Sequence, residues 1–477
     1  MNEFRVLAPT AILGYGFPEA SFAEGMKRKP HAIAVDAGST DPGPYYLGAG
    51  KSFTDRAGVK RDMEYMIKAG IEHNIPVIIG SAGGSGANAH LDWNVEIVRE
   101  IAREQGLSFK LGVIGAQIDK DTVLKHYKEG RLKKMHSSPL PSATQIATSS
   151  NIVAQMGIEP FIKALDMGAQ VIVAGRAYDP AVFACLAVKN GFDEGLAMHM
   201  GKILECATIA AVPGSGSDCM LGTLGPDYFV VEPLSDVRKC TTLSVAAHTL
   251  YEKSDPTKLP GPGGVLDLTR CVFEQVSENS VKVSRTRFIP DNEYFIKLEG
   301  AALKGYRTVS IATAADPIFI QDIENITSKV KERVKSNFAS IDAEDYFLDF
   351  KIYGKNGVMG MFDSQINKAS ATQAKASQSQ CSGTRFSTPA EVAIVIEAVA
   401  ASQDIANTIC SFARSSLLHF GYDGRKSTAG NLAFPFSPSD FEAGEVYEFS
   451  VYCLMPSPDP CQYFPVSVSL CDKGVIK

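Results

Sequence analysis

The feature that most constrains this chain is an apolar strand that runs into a glycine-rich loop, residues 76–92 with the sequence PVIIGSAGGSGANAHLD. A helical pattern begins near Leu91. A strand that enters a helix through such a loop turns backbone N–H groups and the positive end of the helix dipole toward a ligand. The segment lacks the Lys-Ser/Thr ending of a Walker loop and is not a clean GxGxxG. It is therefore either an anion-binding loop or an ordinary tight turn.

Strands and helices alternate along the first half of the chain. Strand-like apolar segments lie at residues 5–8, 31–35, 77–79, 110–114 and 170–174. Helical patterns with apolar residues near a 3.6-residue period lie at residues 54–74, 91–105 and 152–167. This alternation predicts parallel pairing with helices on both faces of the sheet. We therefore expect residues 1–235 to form a Rossmann-like α/β ligand-binding domain around a doubly wound parallel sheet.

Polar side chains follow each predicted strand, at the edge where ligands bind in such sheets. We expect Asp36, His90 and Asp179 to act in catalysis, because carboxylates and histidine are the usual proton-transfer groups. Arg176 would clamp a carboxylate or phosphate. The expected substrate-binding residues are Ser39, Ser81, Gly83, Gly84, Ser85, Gly86, Asn88, Gln117 and Arg176. The structural alternatives are that Asp36 caps a turn, His90 is an ordinary polar residue and Arg176 only pairs with Asp179.

A metal site is a second hypothesis for the same loops. Asp36, Asp41 and Asp92 offer the hard oxygen ligands that Mg²⁺ and Mn²⁺ prefer. The cofactor is otherwise unknown from the sequence.

Composition excludes several classes of protein. The 477 residues suggest two or three domains. The net charge of −6 without a basic stripe argues against nucleic acid as a partner. No apolar run reaches the roughly 18 residues of a membrane helix. The 10 cysteines lack CxxC pairs and are expected to be buried thiols, so we expect a cytoplasmic protein.

The second half of the chain has a different pattern. Alternating segments at residues 308–314, 346–353 and 446–454 predict strands, helical patterns cover 318–338 and 404–420, and 391–399 is a strand or an early helix. The order β-α-β-β-α-β is that of the ferredoxin-like split motif, predicted for residues 307–477. Residues 236–306 are then a linking segment. Residues 365–380, rich in Ala, Ser, Gln and Lys, predict a mobile loop.

Several segments resemble one known family. They are residues 36–48 (DAGSTDPGPYYLG), 175–180 (GRAYDP), 201–206 (GKILEC), 244–255 (SVAAHTLYEKSD), 260–268 (PGPGGVLDL) and 429–440 (AGNLAFPFSPSD). Together they resemble the acyclic terpene utilisation AtuA family over nearly the whole chain. The resemblance implies a cytosolic catabolic protein of terpenoid or related acid degradation through CoA esters. Some relatives are associated with a small separate ferredoxin-fold partner, so the resemblance implies either a second subunit of this kind or a chain that does not need one. It assigns no catalytic residues.

The polar residues that follow the predicted strands favour an enzyme. Oxyanion donors and carboxylates predict acid–base chemistry of the hydro-lyase or isomerase type on a small carboxylate or acyl-CoA. The alternative is a non-catalytic subunit that binds CoA or a nucleotide, or that assembles with an enzyme. In either case we expect a homo-oligomer.

Overall fold

The computed structural model describes residues 2–135, 138–251, 255–341, 345–358 and 389–477. The chain forms two compact units, Met1–Ala302 with Glu448–Lys477, and Leu303–Tyr447. The residues predicted as a mobile loop, 365–380, lie outside the described residues.

The strands in chain order are β1 (Phe4–Ala8), β2 (Ala32–Asp36), β3 (Val77–Gly80), β4 (Ser108–Ile114), β5 (Lys133–Lys134), β6 (Ser149–Ala154), β7 (Val171–Ala174), β8 (Met220–Leu224), β9 (Tyr228–Pro233), β10 (Lys258–Gly261), β11 (Gly264–Asp267), β12 (Val272–Gln275), β13 (Val281–Ser284), β14 (Arg287–Pro290), β15 (Phe295–Ala314), β16 (Tyr346–Tyr353), β17 (Val392–Ala400), β18 (Asp440–Pro456), β19 (Val466–Asp472) and β20 (Val475–Ile476). The helices are α1 (Glu19–Lys27), α2 (Pro44–Ala49), α3 (Arg56–Glu72), α4 (Asn88–Glu104), α5 (Lys120–Lys128), α6 (Ala143–Thr148), α7 (Glu159–Asp166), α8 (Asp179–Lys189), α9 (Glu194–Leu204), α10 (Thr242–Leu250), α11 (Pro317–Asn337) and α12 (Gln403–Leu418).

The first unit is a mixed α/β structure around one large sheet. Its strand order is β12-β13-β9-β8-β1-β2-β3-β7-β4-β19-β20. The strands predicted in the first half of the chain, β1, β2, β3, β7 and β4, pair in parallel at its centre. Strands on both sides of this centre pair antiparallel, as in β1–β8 and β4–β19. The parallel pairing is confirmed, and the antiparallel extensions were not foreseen.

Alternate residues of the central strands pack on opposite faces of this sheet. Ile33 and Val35 of β2 join one core with helices α3 and α4, whereas Ala32 and Ala34 join the other core with α8 and α9. Every residue of β2 is buried. Because both faces are covered, these strands appear in the sequence as continuous apolar runs rather than as an alternation.

The helix predicted at residues 152–167 is wrong in its first half. Residues 149–154 form β6, which pairs antiparallel with β15, and the helix α7 begins only at Glu159. Pro160 near the start of α7 suits a first helical turn and not a helix interior. The spacing of Val153 and Met156 matched a helical period by coincidence.

The described part of residues 236–306, predicted as a linking segment, carries α10, strands β10 to β14 and the start of β15. β12 and β13 lie at one edge of the large sheet, and β10, β11 and β14 form a small antiparallel sheet. At the other edge, β19 from the C-terminal end of the chain lies beside β4, with Val466 opposite Ile114. Residues 448–477 therefore pack with the first unit, although the predicted C-terminal domain ran from 307 to 477.

The second unit has the predicted element order. The later part of β15 pairs antiparallel with β17, and β17 pairs antiparallel with β16. In strand order β15 lies between β17 and β18. The segment at 391–399 is a strand, which resolves the alternative left by the sequence. Helices α11 and α12 contribute Ile323, Val330 and Ile409 to the core of this unit.

Among the described residues, no helix combines the length and the apolar character needed to cross a membrane. The cysteines in the same residues are free thiols, most of them buried.

Candidate functional site

The candidate site lies where the central parallel strands end. Asp36 is the last residue of β2 and is paired with Gly80, the last residue of β3. Ile79 of β3 is paired with Val173 of β7. This register places Asp36, the glycine-rich loop after β3 and Arg176 after β7 at one edge of the sheet. Arg176 Nη1 lies 3.2 Å from Ser81 Oγ, so the predicted loops do meet.

Asp36 is a buried carboxyl with one oxygen left over. Its Oδ2 accepts a hydrogen bond from the Gly38 amide at 3.0 Å. Its Oδ1 is buried and has no hydrogen-bond partner within the described residues. Burial raises the pKa of Asp36 well above its ordinary value and the charge of Asp179 raises it further, whereas Arg176 and the nearby Ser81 hydroxyl oppose these effects. Burial therefore favours the protonated form of Asp36.

Arg176 is buried and already engaged by the protein. Its Nε donates to Glu299 Oε2 at 2.7 Å, and its Nη1 donates to Asp179 Oδ1 at 2.9 Å and to the Ala177 carbonyl. Burial opposes its charge, yet Glu299 and Asp179 raise its pKa. Of the two readings of Arg176, the ion pair with Asp179 is observed. Arg176 is therefore a fixed internal charge rather than an open clamp for substrate.

Glu299 is the residue that the sequence analysis missed. It is 1% exposed, and its Oε1 accepts from Thr40 Oγ1 at 3.1 Å and from Lys297 Nζ at 2.6 Å. Burial alone would raise the pKa of Glu299, but Arg176 and Lys297 lower it to about 2. Its only signal in the sequence is that, with Lys297, it is one of two charged residues between apolar residues at the start of β15, in EYFIKLEGAA. Glu299 connects the buried Arg176 to the loop that follows Asp36.

The glycine-rich loop makes a tight turn with most of its amides used internally. Ser81 has φ +48° and Gly86 has φ +68°. A Cβ on Gly86 would lie 2.0 Å from the Arg176 amide nitrogen, so the two loops touch through their backbones. The amides of Gly84 and Gly86 donate to the carbonyls of Ser81 and Ala82. These two amides are not available to a substrate, contrary to the expected oxyanion role of the whole loop.

Three polar groups of the loop have no hydrogen-bond partner within the described residues. The amides of Gly83 and Ser85 have no acceptor among the described residues. The Ser85 hydroxyl is buried and likewise has no partner in the described part of the chain. Gly84 lies against the Asp36 loop, because a Cβ on Gly38 would come 3.4 Å from its Cα. The unmatched Ser85 and Asp36 groups therefore belong to neighbouring loops.

His90 is bonded to the backbone through both ring nitrogens. The Ala87 amide donates to Nδ1 at 3.2 Å, and Nε2 lies 2.8 Å from the Lys51 carbonyl. Nε2 must carry the proton in this arrangement, which makes the ring neutral. Burial lowers the pKa of His90, in agreement with a neutral ring. The geometry favours the structural reading of His90 over proton transfer.

The remaining predicted residues are dispersed. The Gln117 side chain accepts from the Asn88 amide at 2.9 Å and so holds the start of α4. The Ser39 hydroxyl accepts from the Asp41 amide at 3.1 Å. Asp41 and Asp92 are exposed, whereas Asp36 is buried.

The predicted metal ligands are not brought together. Within the described residues no group of three His, Cys, Asp or Glu side chains could hold a metal ion. The Asp36, Asp41 and Asp92 set therefore does not fit Mg²⁺ or Mn²⁺, and no step is derived through a metal.

These features define a class of protein: a mixed α/β structure that holds a buried carboxyl of raised pKa at the carboxyl edge of its parallel strands. Comparison with known families is more specific. The model of the acyclic terpene utilisation family protein AtuA matches residues 51–214 and 230–427. The chain belongs to the AtuA family. No curated protein and no solved structure matches the chain.

Proposed function

We propose that this chain is an enzyme that performs acid–base chemistry, of the hydro-lyase or isomerase type, on a small carboxylate or acyl-CoA. The observation that carries the proposal is Asp36, with its raised pKa and its unmatched Oδ1. In its ionised form, a carboxyl whose pKa is raised in this way can take a proton from a substrate carbon, and in its protonated form it can return that proton. Perturbed carboxyls of this kind are enriched at functional sites.

Arg176 acts in this proposal as a positioning residue. When Asp36 loses its proton, the resulting negative charge is stabilised by the guanidinium of Arg176. Glu299 and Asp179 hold that guanidinium in place, so its position does not depend on substrate. Asp179 contributes charge and orientation and does not itself move the proton.

The loop donors would receive a substrate oxygen. The Gly83 and Ser85 amides and the Ser85 hydroxyl are the groups left for an oxygen that becomes more negative as a neighbouring C–H proton is removed. Of the predicted substrate-binding residues in this loop, Gly83 and Ser85 therefore retain a proposed binding role, whereas Gly84 and Gly86 do not.

We also propose the finer fold assignments. The parallel centre with a core on each face supports a doubly wound arrangement in the first unit. The order β-α-β-β-α-β, with β15 between β17 and β18, supports a ferredoxin-like arrangement in the second. Free thiols among the described cysteines support a reducing, cytoplasmic location.

Solvent exchange tests the proposed chemistry without a known product. The purified protein is incubated in D₂O with branched acyl-CoA esters and small carboxylates, and deuterium uptake next to the carbonyl is read by mass spectrometry. We expect uptake with the wild-type protein and a loss of at least about 100-fold in Asp36→Asn. Asp92→Asn removes an exposed carboxylate of the same size and should behave as wild type.

Two results would overturn the proposal. One is equal deuterium uptake by the wild-type protein and Asp36→Asn. The other is binding of a substrate candidate by the wild-type protein with no uptake at all, which would favour the non-catalytic binding subunit instead.

A further inference from the structure

A cleft of about 510 Å³ opens beside the Glu299 network in the first unit. This volume falls within the range of small-molecule sites, roughly 300–1,000 Å³. The cleft is connected to the buried charges because two of its lining residues bond Glu299. The lining residues used below are Thr40, Asp41, Leu140, Lys297, Phe449 and Tyr452.

One wall of the cleft carries large, partly exposed apolar side chains. Leu140, Phe449 and Tyr452 are 36%, 45% and 37% exposed, and all three line this one cleft. Single exposed apolar residues are ordinary, but several around one concavity indicate a surface that an apolar group covers. Pro139 and Pro141 extend the same wall and limit its freedom to rearrange.

Lys297 supplies positive charge to this apolar cleft. Its Nζ lies 2.6 Å from Glu299 Oε1 and 4.7 Å from the centre of the Tyr452 ring. An ammonium has three N–H donors, so the bond to Glu299 leaves others for a ligand. Glu299 and Tyr452 also fix the position of the amine, which reduces the ordering that binding requires.

We propose that this cleft binds a monocarboxylate with an aliphatic tail. The carboxylate meets Lys297 Nζ, and the tail lies against Leu140 and Phe449. The exposed carboxylate of Asp41 lines the same cleft and repels a second negative charge, so dicarboxylates are disfavoured. Neither Asp36 nor the Gly83 and Ser85 donors line this cleft. The inference therefore goes beyond the proposed function and assigns a separate ligand site for free aliphatic acids.

Calorimetry with chosen probes tests the ligand class directly. Octanoate carries both recognised features, 1-octanol carries the tail alone, and succinate carries two charges and almost no tail. We expect octanoate to bind at least about 10-fold more tightly than either. Asp41→Asn should tighten succinate binding more than octanoate binding. Equal affinity for octanoate and octanol would overturn the role of Lys297.

Two variants divide the recognition into charge and tail. Lys297→Met keeps the aliphatic stem and should weaken octanoate binding about 10-fold or more, with no change for octanol. Lys133→Met is the matched control, since Lys133 also lies over an aromatic ring and pairs with a carboxylate, but outside the cleft. Phe449→Ser leaves the Glu299 network intact and should weaken octanoate more than butanoate.

Failure of this inference can be told apart from failure of the proposed function. Octanoate binding that is unchanged in both Lys297→Met and Phe449→Ser sinks the cleft assignment, whatever the exchange experiment gives. Octanoate binding that needs Lys297, with no deuterium uptake in any substrate candidate, keeps the site and removes the proposed chemistry.

Discussion

Asp36 and Glu299 are both buried carboxyls, yet their surroundings move their pKa values in opposite directions. Glu299 accepts hydrogen bonds from Arg176, Lys297 and Thr40, and these partners hold it ionised. Arg176, the Ser81 hydroxyl and the Gly38 amide favour the ionised form of Asp36, but burial and the charge of Asp179 outweigh them. Glu299 therefore holds Arg176 in place, whereas the raised pKa of Asp36 suits it to the proton transfer that we propose.

The raised pKa of Asp36 predicts a pH-dependent stability. The folded protein retains a proton that the unfolded chain releases, so this contribution is complete below the ordinary aspartate pKa and is lost as the pH rises through the folded value. As the pH rises, the free energy of unfolding of the wild-type protein should therefore fall relative to that of the Asp36→Asn variant, by at most about 1.4 kcal/mol per pH unit. Denaturant unfolding of both proteins from pH 4 to 8 measures this difference in unfolding free energy. Parallel pH profiles of the two proteins would contradict the prediction.

Glu299→Gln should be severely destabilising at neutral pH. The variant leaves Arg176 buried without its closest counter-charge, which typically costs about 3–5 kcal/mol. Because the pKa of Glu299 is lowered to about 2, its contribution is present at neutral pH and is lost as the pH falls toward that value. The effect should therefore be larger at pH 7 than at pH 4.

Glu293→Gln is the matched control for Glu299→Gln. Glu293 pairs with Lys133 on the surface, where an ion pair contributes about 0–1 kcal/mol. Similar losses of unfolding free energy in the two variants would show that Glu299 is not the structural centre of the site.

At the scale of elements, the glycine-rich loop is set by its contact with the loop after β7. Gly86→Ala places a methyl group 2.0 Å from the Arg176 amide nitrogen, at φ +68°. Gly106→Ala has nearly the same φ, +64°, and no neighbour within 4 Å of the new methyl group. Gly86→Ala should therefore cost about 1–3 kcal/mol more than Gly106→Ala, because only it adds a clash to the backbone strain. Equal losses in thermal unfolding would mean that the close approach is unimportant.

The same loop shows what local sequence can and cannot predict. Its strand, its turn and the following helix were predictable, since apolar runs, glycines and helical spacing are local signals. The hydrogen bonds from the Gly84 and Gly86 amides to carbonyls of the same loop were not predictable, because they depend on the backbone geometry. The bonds of His90 to Ala87 and Lys51 were also hidden, and a histidine beside glycines gave no sign of them.

At the scale of the whole molecule, the sequence predicted which strands form the parallel centre and missed what extends it. The centre follows from alternation of strands and helices along neighbouring segments. Pairing of β19 with β4, and the bond from Arg176 to Glu299 across 123 positions, join segments far apart in the chain. Contacts between segments so far apart in the chain leave no local sequence pattern. For the same reason the local pattern of residues 236–306 predicts only a linking segment.

The measurement that tests the account most directly is the titration of Asp36 itself. Protein labelled with ¹³C at the aspartate carboxyl carbons is followed by NMR from pH 4 to 8, and the Asp36 signal is assigned by its loss in Asp36→Asn. We expect the Asp36 carboxyl to remain protonated at pH values well above the range in which an ordinary aspartate ionises. An Asp36 that is fully ionised at pH 5 would contradict the proposed proton transfer and leave the buried charges with a structural role alone.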